Sequence, residues 1–487
     1  MTNRVGRLPL RRLRIQVLGL LGMAFATLAL GPLAAMPFAA HADTAETAWQ
    51  PETFTLDNGM DVIVLPDHRA PVVTHMVWYR VGAVDEAPGK SGIAHLFEHV
   101  MFQETDDLAP GEFSETVTEN GGTLNAFTSW DYTAYFERVA RDRLELVMGL
   151  EAERMRDLII DDDPDGAFIS ERDVVKEERR QRIENNPGAI LFEKVMAALY
   201  EDHPYGIPVI GRMEEVAALT PDDGRAFYET WYAPNRAILV VAGDVTAEEV
   251  RPLAEATYGK LSPSPVAAPD RGWRAVRPLQ GPRIVTHSDP KVRQEEWARY
   301  YHATSFTEDS DFAYALRVGL HVLGGTSTSR LYQSLVDDQA LAVDASAGAF
   351  LTLHDRGPAL VSASPAPGVD LDTLGQAVMA EVEAALRDGL ARADVERARE
   401  QLAAQAIYAR DSQMGMAMDY GRTLALGGAP EDVLTYADRM RAVTPEAATQ
   451  ALRQVLGDAP GYVAARLLRP ASTSGGSETP AQEEPQE

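Results

Sequence analysis

The 487-residue chain carries 73 acidic against 45 basic side chains, a formal charge of −28, and no cysteine. Such an acidic surface repels nucleic acid and anionic lipid, so neither is expected as a partner. Without cysteine there is neither a disulfide nor a thiolate metal site, which leaves histidine, aspartate and glutamate as the strong metal ligands.

Residues 1–42 hold Arg4, Arg7, Arg11, Arg12 and Arg14 and no acidic residue. An apolar run from Ile15 to Ala40 follows and ends at Ala40-His41-Ala42. This pattern predicts a signal peptide cleaved before Asp43 and a periplasmic or secreted chain. The alternative is a retained anchor, against which Pro32 and Pro37 argue. Cleavage removes five positive charges and brings the formal charge to −33. No later apolar run reaches the ~18 residues of a membrane span, so no stable membrane insertion is expected after cleavage.

Residues 54–65 read as two strands joined by an Asn58-Gly59 turn, and 72–81 as a third strand. The segment 91–102 then carries His95-Leu96-Phe97-Glu98-His99. On a helix, histidines four residues apart share one face and reach a single metal ion. Glu98 lies on the same side, where a carboxylate takes a proton from the water that such an ion activates. The order is the inverse of the commoner His-Glu-x-x-His zinc signature. Gly121-Gly122 releases a β-branched and aromatic strand over 123–136, and helices are predicted over 141–158, 168–185 and 191–199. The helix at 170–184 offers Glu171, Glu177, Glu178 and Glu184 as a further ligand; Glu171 and Glu178, seven residues apart, share a face.

The chain reads as a diverged duplication. Thr220-Pro221 opens a helix that leads to a strand at 235–242, and Thr444-Pro445 opens another that leads to 461–468, the helix starts offset by 224 residues and the strands by 226. At offset 222, Arg317, Leu320 and His321 stand where His95, Glu98 and His99 stand in the first half. His321 on an apolar helix reads as structural, so only the first half is expected to hold metal. The predicted organisation is a signal peptide at 1–42, a zinc-binding domain at 43–260, a Pro-rich linker at 261–282, a metal-free domain at 283–470 and a disordered tail at 471–487. The fold class expected is α+β, each domain a mainly antiparallel sheet packed with helices.

Five stretches occur in order: His95–His99; 121–135 with its Asn125-Ala126 pair; 171–178; His203-Pro204-Tyr205-Gly206 through Gly211; and Tyr232 to Arg236 with Val241 to Asp244. Together they resemble the pitrilysin and insulin-degrading-enzyme family of inverzincin metallopeptidases. The resemblance implies a peptidase whose two domains form half of a clam-like chamber. It implies Zn²⁺ held by His95, His99 and Glu178, with Glu177 the competing third ligand, Glu98 as general base and Glu171 as an accessory catalytic carboxylate. It places Asn125 and Ala126 on a strand edge that pairs with an extended peptide substrate.

The second half departs from the family. Aligned through Ser329-Arg330-Leu331, the family's arginine and tyrosine positions hold Val336 and Val343; Arg330 and Tyr332 belong to a preceding structural segment. Loss of a donor aimed at developing oxyanion charge costs about 3–4 kcal/mol. The expectation is therefore a heterodimer, in which a related subunit supplies the Arg/Tyr pair. Two other readings are a non-catalytic peptide-binding or scaffold subunit, and another metal hydrolase on the same ligands.

Overall fold

The computed structural model describes residues 49–267 and 275–470. The predicted signal peptide, the middle of the predicted linker and the predicted tail lie outside the described residues.

The first unit is built on a six-stranded sheet of β1 (Glu52–Thr55), β2 (Asp61–Pro66), β3 (Val72–Tyr79), β4 (Thr123–Thr128), β5 (Thr133–Ala140) and β6 (Ala237–Gly243), in the order β1-β2-β6-β3-β5-β4. Only β2 and β6 run parallel; the other neighbours are antiparallel. β6 is buried at every position, as its unbroken apolar run requires of a strand covered on both faces. Against one face packs the helix Gln413–Ala425, whose Met416, Ala417 and Tyr420 join Trp78, Phe127, Ile238 and Val240 in a single core.

The run 123–136, expected as one strand, is instead the hairpin β4–β5. Residues 129–132 turn the chain, closed by the Ser129 N–H donating to Tyr132 O at 2.8 Å. Local propensity misses this turn because it is fixed by tertiary bonds: Ala83 and Val84 N–H donate to the carbonyls of Ser129 and Trp130, overriding a β-branched and aromatic sequence.

The helices of the first half include α1 (Ile93–Val100), α2 (Glu112–Glu119), α3 (Leu144–Arg156), α4 (Ala167–Arg179) and α5 (Pro187–Leu199). α4 continues as one wider turn over Arg180–Glu184, so its predicted end near 185 holds.

The second unit is a five-stranded sheet of β7 (Arg283–Ser288), β8 (Glu296–Ala303), β9 (Ala342–Ala349), β10 (Gly357–Pro365) and β11 (Val463–Leu468), in the order β7-β11-β8-β10-β9. Its single parallel pair is β7 with β11. This is the arrangement of β2-β6-β3-β5-β4 repeated, and β8 and β10 begin 224 residues after β3 and β5. Thr220 and Thr444 each cap a helix that begins with proline, accepting a backbone N–H on the side-chain oxygen. The helix Ser310–Gly324 stands between β8 and β9 in the chain as α1 stands between β3 and β4.

The compact units are not contiguous in sequence. The first comprises described residues within 49–176, 207–267 and 403–438, and the second those within 177–206, 275–402 and 439–470. Each thus takes in a stretch from the other half: the helix Gln413–Ala425 on the first sheet, and α5 against β7 and β11 on the second. Among the described residues, no helix is long and apolar enough to cross a membrane.

Candidate metal centre

α1 has only eight residues and a glycine N-cap, Gly92, with φ +89° and no side-chain cap of its own. A Cβ there would lie 2.8 Å from the carbonyl oxygen of Ile210, so close backbone approach and positive φ both demand glycine. The missing cap is supplied from a distance. Oε1 of half-buried Glu86 accepts the N–H groups of Gly92 and Ala94, each at 3.0 Å, satisfying donors that a helix start leaves open. Burial pushes the Glu86 carboxyl well up, and the two backbone donors act against that shift.

The whole of α1 is buried. Its one-turn spacing brings the rings of His95 and His99 to 5.1 Å between centroids, inclined at 61°. α4 supplies the carboxylates. The division into units falls inside this unbroken helix, after Lys176, and Glu178 lies two residues further along it. His95, His99 and Glu178 each present a ligand-capable atom within 4.8 Å of the other two. Glu178 also pairs with Arg182 at 2.7 Å, one turn on. The competing Glu177 is more than half exposed and pairs with Arg180, so it points away from this cluster. Two imidazoles and a carboxylate, drawn together in a buried site, match the donor set and spacing that a zinc ion uses.

Glu171 stands behind His99. Its Oε2 accepts from His99 Nδ1 at 3.3 Å, and its Oε1 accepts from the side-chain amide of Gln103 at 3.0 Å. A neutral imidazole that donates from Nδ1 keeps its lone pair on Nε2, the form that binds metal.

Glu98 is fully buried, and Thr128 Oγ1 donates to its Oε2 at 2.6 Å. Thr128 is the last residue of β4, the edge strand of the sheet, on which Asn125 and Ala126 also lie. Asn125 is half-buried and Ala126 buried. The Ala126 N–H donates to Asn125 Oδ1 at 2.9 Å, so the asparagine covers a backbone donor on the strand for which the resemblance implies a substrate role.

Beneath α1 the Tyr135 hydroxyl donates to the Phe97 carbonyl at 3.2 Å and lies 2.9 Å from the Tyr232 hydroxyl. Burial pushes both phenols up, so both are neutral. His75, Glu137 and Glu151 form a second group of ligand-type side chains, fully buried. There, however, Arg154 already supplies the cation. Its Nε donates to Glu151 at 2.8 Å, its terminal nitrogen reaches Glu137 at 3.5 Å, and its guanidinium lies over the rings of Phe102, Phe113 and Tyr135. This is a structural ion network. Burial drives the Glu151 carboxyl up to about 8 and the His75 imidazole down to about 4.

In the second unit, His321 Nε2 lies 3.0 Å from Oε1 of Gln401, and none of the metal-capable groups among the described residues includes it. Arg330 is tied to Glu381 at 3.2 Å. Val336 is half-buried, and Val343 lies exposed on β9.

Glu86, Gln103, Thr128 and Tyr135 escaped the sequence reading of the site. Thr128 and Tyr135 lie in or beside the strand singled out there, but which carboxylate or carbonyl each would meet depends on packing. Glu86 carried one legible sign, an acid placed shortly before a helix that lacks its own cap.

Known proteins share this fold. Residues 62–212 match the family model described as Insulinase (Peptidase family M16), and 218–402 match Peptidase M16 inactive domain. A protein named zinc protease PqqE, from Helicobacter pylori, is 32% identical over 348 residues, 71% of this chain and 77% of that one. The chain belongs to the M16 peptidase family. A crystal structure of an H. pylori protease has a TM-score of 0.80 at 28% identity and covers 86% of the M16 chain described here and 100% of its own. The periplasmic protease PqqL of Escherichia coli shares the fold, with a TM-score of 0.72 at 19% identity over 86% of this chain and 47% of its own. The fold is therefore mixed α+β, two mainly antiparallel sheets packed with helices, as expected for M16 proteins.

Proposed function

We propose that this M16 chain is a zinc-dependent endopeptidase acting on short or unfolded peptides, with Zn²⁺ held by His95, His99 and Glu178. The observation that carries the reading is the mutual approach of those three side chains within 4.8 Å, beside Glu98 on the same buried helix. When bound, zinc supplies Lewis-acid polarisation of the peptide carbonyl and lowers the pKa of water towards neutrality. Glu98 takes the proton of the attacking water and returns it to the departing amine. Glu171 holds His99 in its metal-binding tautomer. The edge strand β4 aligns an extended peptide by main-chain bonds, which suits broad sequence tolerance, with Asn125 and Ala126 at the point of contact.

Val336 and Val343 support a second element of the reading. Neither can donate to substrate or stabilise developing charge, so the zinc-bearing chain works with a related subunit that supplies an arginine and a tyrosine. The alternative role, a peptide-binding scaffold, gives no reason for His95, Glu98, His99 and Glu178 to be retained together. The basic-then-apolar N-terminal residues support export to the periplasm or beyond.

The test is hydrolysis of unstructured peptides by the purified chain, alone and mixed with an Arg/Tyr-bearing M16 chain, before and after chelation. Activity that needs the second chain, is lost on chelation and returns with zinc is the expected result. Chelator-insensitive hydrolysis overturns the metal assignment, and full turnover by the chain alone overturns the need for a partner.

A further inference from the structure

Resting on that reading, we infer that Thr128 is a positioning residue for the general base, one that ties the substrate-aligning strand to proton transfer. Its hydroxyl donates to Glu98 Oε2 at 2.6 Å, and both side chains are buried. A glutamate has three side-chain torsions and, left to itself, samples many orientations. A donor fixed on Oε2 sets the plane of the carboxylate and hence the direction in which Oε1 is presented.

The donor is itself fixed. Thr128 ends β4 opposite Thr133, which begins β5 and donates through Oγ1 to the Val81 carbonyl at 3.0 Å. The turn between them accepts the N–H groups of Ala83 and Val84 at 3.1 and 2.9 Å, and the Trp130 indole donates to Ile207 O at 3.0 Å. The end of the hairpin is thus anchored at several points, and the threonine hydroxyl is held where the base needs it.

Strand alternation supplies the link to substrate. Ala126 and Thr128 are two residues apart and share a face of β4, the face that reaches α1, while Phe127 points into the opposite core. A peptide that pairs with this edge at Ala126 bears on the same rigid strand that aims Glu98, so correct docking and correct base orientation are one geometric event.

The experiment compares wild type, Glu98→Gln, Thr128→Val and Thr128→Ser for kcat, KM, bound zinc and thermal unfolding, with the second subunit present. Valine keeps the β-branched shape and removes only the donor; serine keeps the donor. The expected result is a loss of about 10- to 100-fold in kcat for Thr128→Val, a part of what a general base contributes. KM and zinc content stay within about twofold, and Thr128→Ser recovers most of kcat, as expected when only the positioning donor is at issue. A Thr128→Val enzyme with wild-type kcat, in a wild type that Glu98→Gln inactivates, overturns this inference and leaves the proposed function standing. Loss of zinc or of folding by Thr128→Val, with no recovery by serine, assigns a purely structural role and overturns it as well. An inactive wild type, or an active Glu98→Gln, overturns the proposed function and this inference with it.

Discussion

Oε2 of Glu171 lies 3.3 Å from Nδ1 of His99, and the other oxygen of that carboxylate is occupied by the Gln103 amide at 3.0 Å. On the proposed reading, the contact lets a carboxylate that is not itself a ligand set the tautomer and orientation of His99. Removing it by Glu171→Ala is predicted to weaken zinc affinity by about 10- to 100-fold, the usual cost of losing such a partner. Gln103→Leu, which only loosens Glu171, is predicted to cost less. Competition with a chelating indicator measures both.

Glu86 caps α1 from outside the helix. Glu86→Ala strands two buried backbone donors and is predicted to destabilise the fold by about 1–3 kcal/mol, whereas Glu86→Gln keeps an acceptor and recovers most of that. Denaturant titration of the two variants separates them; equal losses would show that the acceptor is not what matters.

The Arg154 network predicts a pH dependence of stability. His75 titrates at about 4 in the folded chain, against about 6.5 when unfolded. Between those values the unfolded chain binds the extra proton, so this residue makes stability rise with pH. Glu151 titrates at about 8 when folded, against an ordinary value of 4.5. Across that interval the folded chain holds the extra proton, and stability falls as pH rises. The two contributions oppose each other from about 4.5 to about 6.5. From there to about 8 His75 no longer offsets Glu151, whose own contribution is roughly 1.4 kcal/mol per pH unit. Glu151→Gln is predicted to flatten the fall between pH 6.5 and 8 in equilibrium unfolding; an unchanged slope would contradict the account.

How much of this was legible in the sequence depends on the range of the forces involved. The helix that carries His95, Glu98 and His99 could be read because helical spacing alone puts the three on one side. The duplication could be read because Thr220-Pro221 and Thr444-Pro445 are local start signals whose meaning does not depend on the rest of the fold. The turn at 129–132 could not, since backbone donors from 83 and 84 hold it. Nor could the packing of a helix from the second half of the sequence on the first sheet, in which Met416 and Tyr420 meet Trp78, because an apolar helix face does not state which sheet it will cover. The choice of Glu178 over Glu177 lay between these extremes: heptad spacing with Glu171 indicated a face, and the exposure of Glu177 shows which side of α4 looks outward.

The most direct test of the central claim is peptide hydrolysis by wild type and Glu98→Gln, with zinc content measured on the same samples. A Glu98→Gln chain that keeps its zinc and loses at least about 100-fold in kcat is the predicted result, given what a general base contributes. A Glu98→Gln chain that binds zinc and hydrolyses peptides at the wild-type rate would contradict the mechanism.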